Sequence, residues 1–204
     1  MKRAFSLIEL LVIVAVISIL TALLLPTLSR GKERAKIIAC MNNERQLSVV
    51  LSLYALDNRT FPPNDRVEPS EGKIDWVNGA FVFSQFAQDQ RMVLDPQFSS
   101  FARYLQSTEI YRCPSDPSKN TRSYELNAFL GEGLIKRNIF GRGKYNFARA
   151  EDGVASPSRT FSFIEANHRS ICWPYFGVYM DINAYYNFPA SYHSQRAVIT
   201  FIDS

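Results

Sequence analysis

Residues 1–26 read MKRAFSLIEL LVIVAVISIL TALLLP, and the apolar run inside this stretch sets the organisation of the whole chain. Between Leu7 and Leu25, nineteen residues contain a single charged side chain, Glu9. A helix of this length and composition crosses a bilayer hydrocarbon core of about 30 Å. The sequence therefore predicts a membrane-spanning helix near the N-terminus, and a plain cytosolic protein is excluded.

The flanks of the apolar run predict its orientation. Lys2 and Arg3 precede it, and basic residues next to a span favour the cytoplasmic side of a membrane. A secretory leader has a shorter apolar region followed by a small-residue cleavage site, whereas this run continues to Pro26 without such a site. We therefore expect a single-pass topology with a cytoplasmic N-terminus and an extracytoplasmic remainder.

Charge outside the apolar run bears on the class of partner. The 204-residue chain has 23 basic and 19 acidic side chains, of which Lys2, Arg3 and Glu9 lie in residues 1–26. The remainder therefore carries 21 basic and 18 acidic side chains, a net charge of about +3. This small positive net charge does not favour a nucleic-acid partner, because proteins that bind nucleic acids usually have a strongly basic surface.

Beyond Pro26 the sequence predicts an α+β domain. Apolar residues between Leu47 and Tyr54 recur at helical spacing, so an amphipathic helix is predicted over 27–58. Proline and asparagine then end the helix, and apolar clusters at 160–164 and 197–202 predict strands. We expect residues 59–204 to form a globular head in which a small antiparallel sheet with long loops packs against this helix.

The N-terminal residues resemble the processing motif of type IV prepilins and type II secretion pseudopilins. The shared pattern is a short basic leader, a small residue, Phe, and Glu four positions later, here Ala4, Phe5 and Glu9, followed by an unbroken apolar helix. The family usually has glycine where Ala4 stands. The resemblance implies a leader of residues 1–4, cleavage after Ala4 by a prepilin peptidase, methylation of the Phe5 amine, and a filament-core helix over 5–26 that kinks at Pro26.

Later motifs resemble the bacterial pilin-like branch named for an H-x9-DG motif. They comprise Asn42-Asn43, Phe61-Pro62-Pro63, the run Tyr111 to Asp116, Pro157 to Thr160, and His193 followed at the motif's spacing by Asp203. Ser204 replaces the motif's glycine and the sequence stops there, so a final strand or tail is predicted to be missing. The resemblance implies a pilin-like fold and leaves the roles of His193 and Asp203 unassigned.

The resemblance implies a structural subunit rather than an enzyme. Such a subunit would sit in the bacterial inner membrane and assemble with other pilin or pseudopilin subunits through its N-terminal helix, with Glu9 as the assembly residue. A type IV pilus and a type II secretion filament both fit, as do a major and a minor subunit. The alternative is a membrane-tethered extracytoplasmic enzyme or ligand-binding protein that uses the helix only as an anchor.

Three cysteines, Cys40, Cys113 and Cys172, leave three single-bridge pairings open. We favour Cys40 with Cys113, which would join the helix to a turn of the head in a compartment that permits disulfides. Closing this loop would stabilise the fold by roughly 4 kcal/mol in the chain-entropy model. Cys113 with Cys172, and three thiols, remain the alternatives.

Known catalytic and cofactor motifs are missing from the sequence. Neither His168 nor His193 has a neighbouring metal-ligand motif, and no metal site or cofactor is predicted. The Gly141 to Lys144 segment lacks the spacing of a phosphate-binding loop and is predicted to be a turn. His193 and Asp203 could pair across adjacent turns, but the sequence alone does not decide this.

Overall fold

A computed structural model describes residues 7–64, 74–78, 85–131, 156–179, 184–185 and 187–203. The predicted cleavage residues Ala4 and Phe5 and the predicted turn at 141–144 lie outside the described residues. The chain divides into two compact units, Met1–Lys36 and Ile37–Ser204.

The first unit consists of the N-terminal part of helix α1, which spans Leu7–Asn58. Residues 7–35 are exposed throughout, although most of those before Pro26 are apolar. By length and composition α1 is able to cross a membrane. Helical geometry continues through Pro26, so the long N-terminal helix is confirmed, while the kink at this proline stays a prediction.

In the second unit α1 buries one face. The buried residues share the helical spacing that places side chains on one side, and they are Cys40, Glu44, Leu47, Ser48, Val50 and Leu51. Arg59, directly after the helix, has a φ of 58°, the left-handed conformation that commonly ends helices. The side-chain amide of Asn58 donates to the Tyr54 carbonyl at 2.9 Å, which satisfies one carbonyl of the last turn.

Among the described residues, six short strands form two sheets. Their bounds are β1 Tyr124–Asn127, β2 Phe161–Glu165, β3 Tyr175–Phe176, β4 Val178–Tyr179, β5 Ala184–Tyr185 and β6 Ile199–Phe201. The larger sheet has the order β3-β1-β2-β6, and β4 pairs with β5 in a separate two-stranded sheet. The strands predicted at 160–164 and 197–202 correspond to β2 and β6.

The described loops also contain short helical segments. Helix α2 spans Arg91–Leu94, and single 3-10 turns span Gln85–Gln88, Ser100–Arg103, Thr108–Tyr111 and Pro157–Arg159.

The larger sheet is mixed, which corrects the expectation of a purely antiparallel one. β1 pairs antiparallel with β2, and β2 pairs antiparallel with β6. β3 pairs with the other edge of β1 in parallel, with Leu126 opposite Tyr175. The chain reverses after β2 and crosses to the far side of β1, so β3 runs opposite to β2 and therefore in the direction of β1.

The core between α1 and the sheet is built around Trp76. Its indole is fully buried and meets Phe163 and Phe101 edge to face, with ring centroids 5.1 and 5.6 Å apart. The indole N–H donates to the Pro174 carbonyl at 2.8 Å, so its one polar atom is satisfied. Leu47 of α1 belongs to the same apolar cluster, which couples the helix to the sheet.

Leu47 and Leu56 lie on the same helix and differ in burial, so the same substitution at each position tests the packing of α1. We expect Leu47→Ala to lower the free energy of unfolding by about 2–5 kcal/mol, because it leaves a cavity in the core. Leu56 is 77% exposed, and Leu56→Ala should change stability by less than about 0.5 kcal/mol. Denaturant unfolding of the detergent-solubilised chain measures both, and equal losses would contradict the packing described.

Candidate functional site

The Cys40–Cys113 disulfide lies at the centre of a buried polar cluster. Cys40 is on α1, and Cys113 follows the 3-10 turn Thr108–Tyr111. Their Cα atoms are 5.2 Å apart, and both residues are fully buried. This is the first of the pairings considered from the sequence, and half-buried Cys172 takes no part in it.

The turn that carries Cys113 is held by polar contacts between the tyrosine-to-aspartate motif and the serines that follow it. The Ser123 hydroxyl donates to Asp116 Oδ2 at 2.6 Å and accepts from the Cys113 backbone N–H at 3.1 Å. The Ser118 backbone N–H donates to the other oxygen of Asp116 at 2.8 Å. These bonds let a short polar segment fold back on itself, which orients the Cys113 side chain toward α1.

His193 and Glu165 meet beside the disulfide. The His193 Nε2 atom lies 3.4 Å from the Cys113 sulfur and 3.4 Å from Glu165 Oε1. The same carboxylate oxygen is 3.8 Å from the Cys40 sulfur. Glu165 is at the end of β2, and its second oxygen accepts from the Val198 backbone N–H at 3.3 Å. Burial raises the pKa of Glu165 to about 7.

Glu44 brings a second carboxyl to the same region. It is fully buried on α1 one turn after Cys40. Burial is the main cause that raises the pKa of Glu44 well above its usual value, and the negative charge of Glu165 adds to it. Thr200 opposes this shift only in part, and neither Glu44 carboxyl oxygen has a hydrogen-bond partner among the described residues. The environment therefore favours the neutral, protonated form of Glu44.

Three hydroxyls continue the polar contact between α1 and the sheet. Ser48 and Ser162 are 2.8 Å apart between their Oγ atoms, and Thr200 lies 3.3 and 3.2 Å from them, respectively. Ser162 belongs to β2 and Thr200 to β6. Since every member is within hydrogen-bonding distance of the others, this polar seam is satisfied although it is buried.

A second buried charged pair lies outside the disulfide cluster. Burial lowers the pKa of Arg122 to about 10 and raises that of Glu125 to about 8, while the attraction between the two charges opposes both shifts. The Asn187 side-chain amide donates to Glu125, and the Arg122 guanidinium lies 5.6 Å from the Trp76 ring centroid. We assign these contacts a role in stability, because they hold loops against the core.

The structure brings some of the predicted site residues together and leaves others apart. Cys40, Cys113 and His193 come together, whereas Asp203 is exposed beyond β6. Glu9 lies in the exposed apolar part of α1. Processing residues Ala4 and Phe5 are outside the described residues, so their role stays a prediction.

Sequence reasoning missed the two buried carboxylates of the cluster. A signal was present, because Glu44 interrupts the buried stripe of α1 and Glu165 ends an otherwise apolar strand. A charged residue in such a position implies a buried polar environment.

The cluster contains the side-chain types of a metal site, but its two sulfur atoms are joined in a disulfide. The ligand atoms of Cys40, Cys113, Glu165 and His193 all lie within 4.8 Å of one another. With both sulfurs in a disulfide, however, neither is a thiolate, the form that acts as nucleophile or metal ligand. In the oxidised protein the cluster therefore connects α1, the Cys113 turn and the sheet.

Comparison with known proteins finds relatives that all carry the same name. A type II secretion system core protein G from Klebsiella michiganensis is 29% identical over 156 residues, which is 76% of this chain and 92% of that protein. Proteins of the same name from Pectobacterium carotovorum and Pseudomonas aeruginosa are 29% and 33% identical over 65 and 61 residues. These similarities indicate homology to type II secretion system core protein G.

The extent of the matches differs among these relatives. The Pectobacterium and Pseudomonas alignments cover only 42% and 43% of those proteins, less than half their length. No protein-family model matches the chain, and no solved structure matches it significantly. The relatives are components of a secretion system, which agrees with a structural subunit rather than an enzyme.

Raised carboxyl pKa values predict that stability falls as pH rises. Above about pH 4.5 the unfolded chain releases its carboxyl protons, whereas the folded protein retains them up to about pH 7 on Glu165 and about pH 8 on Glu125, and the raised pKa of Glu44 acts in the same direction. Each such group lowers the free energy of unfolding by up to about 1.4 kcal/mol per pH unit across its own window. The chain should therefore be more stable near pH 5 than near pH 8.

Glu44→Gln isolates one of these groups, because glutamine stays neutral at every pH. Glu165 and Tyr124 are the titratable groups coupled electrostatically to Glu44. We expect this variant to lose less stability than the wild type between those two pH values in denaturant unfolding. Glu109 is exposed, so Glu109→Gln should keep the wild-type slope. An unchanged slope in Glu44→Gln would contradict the buried environment described for Glu44.

Proposed function

We propose that this protein is a pseudopilin-like structural subunit of a type II secretion filament. It is inserted in the inner membrane by its N-terminal helix, cleaved between Ala4 and Phe5, and assembled with other subunits through that helix. The head, residues 59–204, forms the outer part of the subunit.

The observation that carries this proposal is the uncovered apolar part of α1. Fifteen large apolar side chains between Leu7 and Leu28 are exposed. Removing one such side chain from water is worth about 1.5–3 kcal/mol. Water is therefore an unsuitable surrounding for this segment, and lipid or the helices of neighbouring subunits must cover it.

The relatives favour a secretion filament over a pilus. The three relatives compared are all named as core protein G of a type II secretion system, and one of them aligns over most of both chains. The α+β architecture, in which a long helix packs one face on a small sheet, is the arrangement implied by the resemblance to pseudopilins.

Glu9 provides a reason for assembly rather than simple anchoring. A carboxylate inside an apolar span is costly, and such residues usually have a functional partner. After cleavage the amine of Phe5 in an incoming subunit would be a suitable cation for Glu9 of its neighbour. In a low-dielectric core the two charges attract strongly, but their desolvation offsets much of that gain. The pair would therefore set the register of subunits more than the stability of the filament.

N-terminal mass spectrometry of the membrane-extracted protein tests the proposal directly. We expect the first residue to be Phe5 and its amine to be methylated in a host that contains a prepilin peptidase. An Ala4→Leu variant should keep the leader, because the resemblance implies a small residue at the cleavage site. A chain that begins at Met1 in that host would favour a tethered enzyme or binding protein.

Glu9→Val tests the assembly role. Valine is less costly than glutamate in hydrocarbon, so membrane insertion should be unchanged or slightly improved. The yield of crosslinked oligomers or sheared filaments should fall at equal membrane level.

The control for this experiment is Glu33→Val, the same substitution on α1 outside the apolar run. Glu33 is exposed and forms a surface ion pair with Lys36 at 3.2 Å, which contributes little. This control should assemble like the wild type. Equal yields for Glu9→Val and the wild type would show that Glu9 has no part in assembly.

A further inference from the structure

The spacing of the polar atoms around the disulfide is that of a tetrahedral metal site. Bond lengths of about 2.3 Å to sulfur and about 2.1 Å to nitrogen or oxygen place sulfur and nitrogen about 3.6 Å apart around a tetrahedral Zn²⁺. Nitrogen and oxygen are then about 3.4 Å apart, and sulfur and oxygen about 3.6 Å.

The distances in the cluster agree with these edges. The Cys113 sulfur is 3.4 Å from His193 Nε2, this nitrogen is 3.4 Å from Glu165 Oε1, and that oxygen is 3.8 Å from the Cys40 sulfur. All four atoms lie within 4.8 Å of one another. On reduction, the edge between the two sulfurs must lengthen from a bonded distance of about 2.05 Å to about 3.8 Å.

The four ligands also have the chemistry that Zn²⁺ prefers. Two thiolates, an imidazole nitrogen and a carboxylate oxygen are the donors found in zinc sites, and four protein ligands make a closed, structural site. All four residues are at most 3% exposed, so bulk water does not compete for these positions. A divalent cation would also compensate negative charges that are costly to bury in this cluster.

We propose that reduction of the Cys40–Cys113 disulfide converts this cluster into a structural Zn²⁺ site with Cys40, Cys113, Glu165 and His193 as ligands. A dithiol reductant transfers two electrons and two protons to the disulfide and becomes a disulfide itself. The two protein thiols then release two protons as they bind Zn²⁺. A disulfide-containing oxidant accepts two electrons from the zinc-bound thiolates and two protons from water, and its own disulfide is cleaved to two thiols. The Cys40–Cys113 bridge re-forms and the ion is released, so the two forms exclude each other.

Burial determines when the ion can enter. A site assembled from α1, the Cys113 turn, β2 and the loop before β6 does not exist in an unfolded chain, so metal binding and folding are coupled. The zinc form would therefore arise when a reduced chain folds, and it would hold α1 against the head in place of the disulfide. This inference concerns the head cluster and stands independently of the filament role.

Cobalt spectroscopy on the full chain tests the site. The detergent-solubilised protein is unfolded, reduced with a water-soluble phosphine, and refolded without oxygen in the presence of Co²⁺. We expect one Co²⁺ per chain, with the intense visible bands of tetrahedral coordination and a thiolate-to-metal charge-transfer band. Added Zn²⁺ should remove both. The same chain refolded with its disulfide intact should bind no Co²⁺ at this site.

Variants identify the ligands. Cys172→Ser should keep the full spectrum, because Cys172 is outside the cluster. His193→Gln should weaken Co²⁺ binding by at least tenfold, since the loss of a residue that only supports a ligand already costs about 10–100-fold. Absence of the tetrahedral bands from the reduced wild type overturns the proposal whether or not that chain folds. Equal binding by the oxidised chain, or loss of binding in Cys172→Ser, overturns it as well.

Discussion

The uncovered apolar surface of α1 is the constraint on which the rest of the molecule depends. Its side chains from Leu7 to Leu28 have no apolar cover from the described residues, and the hydrophobic effect opposes leaving them in water. In the filament that we propose, lipid or the helices of other subunits cover this part of α1. The other half, from Cys40 onward, obtains cover from its own chain. One helix thus combines a surface that needs external partners with a face that organises the head.

The core of the head contains both aromatic and polar side chains. Trp76, Phe101 and Phe163 form a well-packed aromatic core, which an isolated small sheet needs in order to be stable. Next to it, carboxyls, an imidazole and hydroxyls occupy the same helix–sheet interface. Two apolar surfaces slide past one another more easily than surfaces joined by hydrogen bonds, as Ser48, Ser162 and Thr200 are. Such a network therefore selects one register of α1 on the sheet even where it contributes little net stability.

The disulfide also links α1 covalently to the head at this interface. Cys40 and Cys113 are separated by 73 residues, and both are surrounded by buried groups. In the oxidised form the bridge restricts the unfolded chain, while Glu165 and His193 pack against its sulfurs. The zinc form that we infer would use the same positions for a different bond between helix and head. The interface would then be held together in both redox states, although by different chemistry.

Much of the architecture could be predicted from the sequence, because the relevant signals are local. The apolar run before Pro26 and the helical spacing after it predict α1, and the short apolar clusters predict β2 and β6. Hydrophobic period and chain length act within a few residues, so no partner in space is needed to interpret them. Even the Cys40–Cys113 pairing was among a small number of possibilities, since three cysteines allow few.

Tertiary structure alone decided the parallel pairing of β3 and the composition of the buried cluster. β3 is two residues long, and its direction depends on where the chain crosses after β2. Glu44, Glu165 and His193 come from parts of the chain far apart in sequence, and no local pattern relates them. Their proximity follows from the register of α1 on the sheet, which side-chain packing determines only once the whole head has folded.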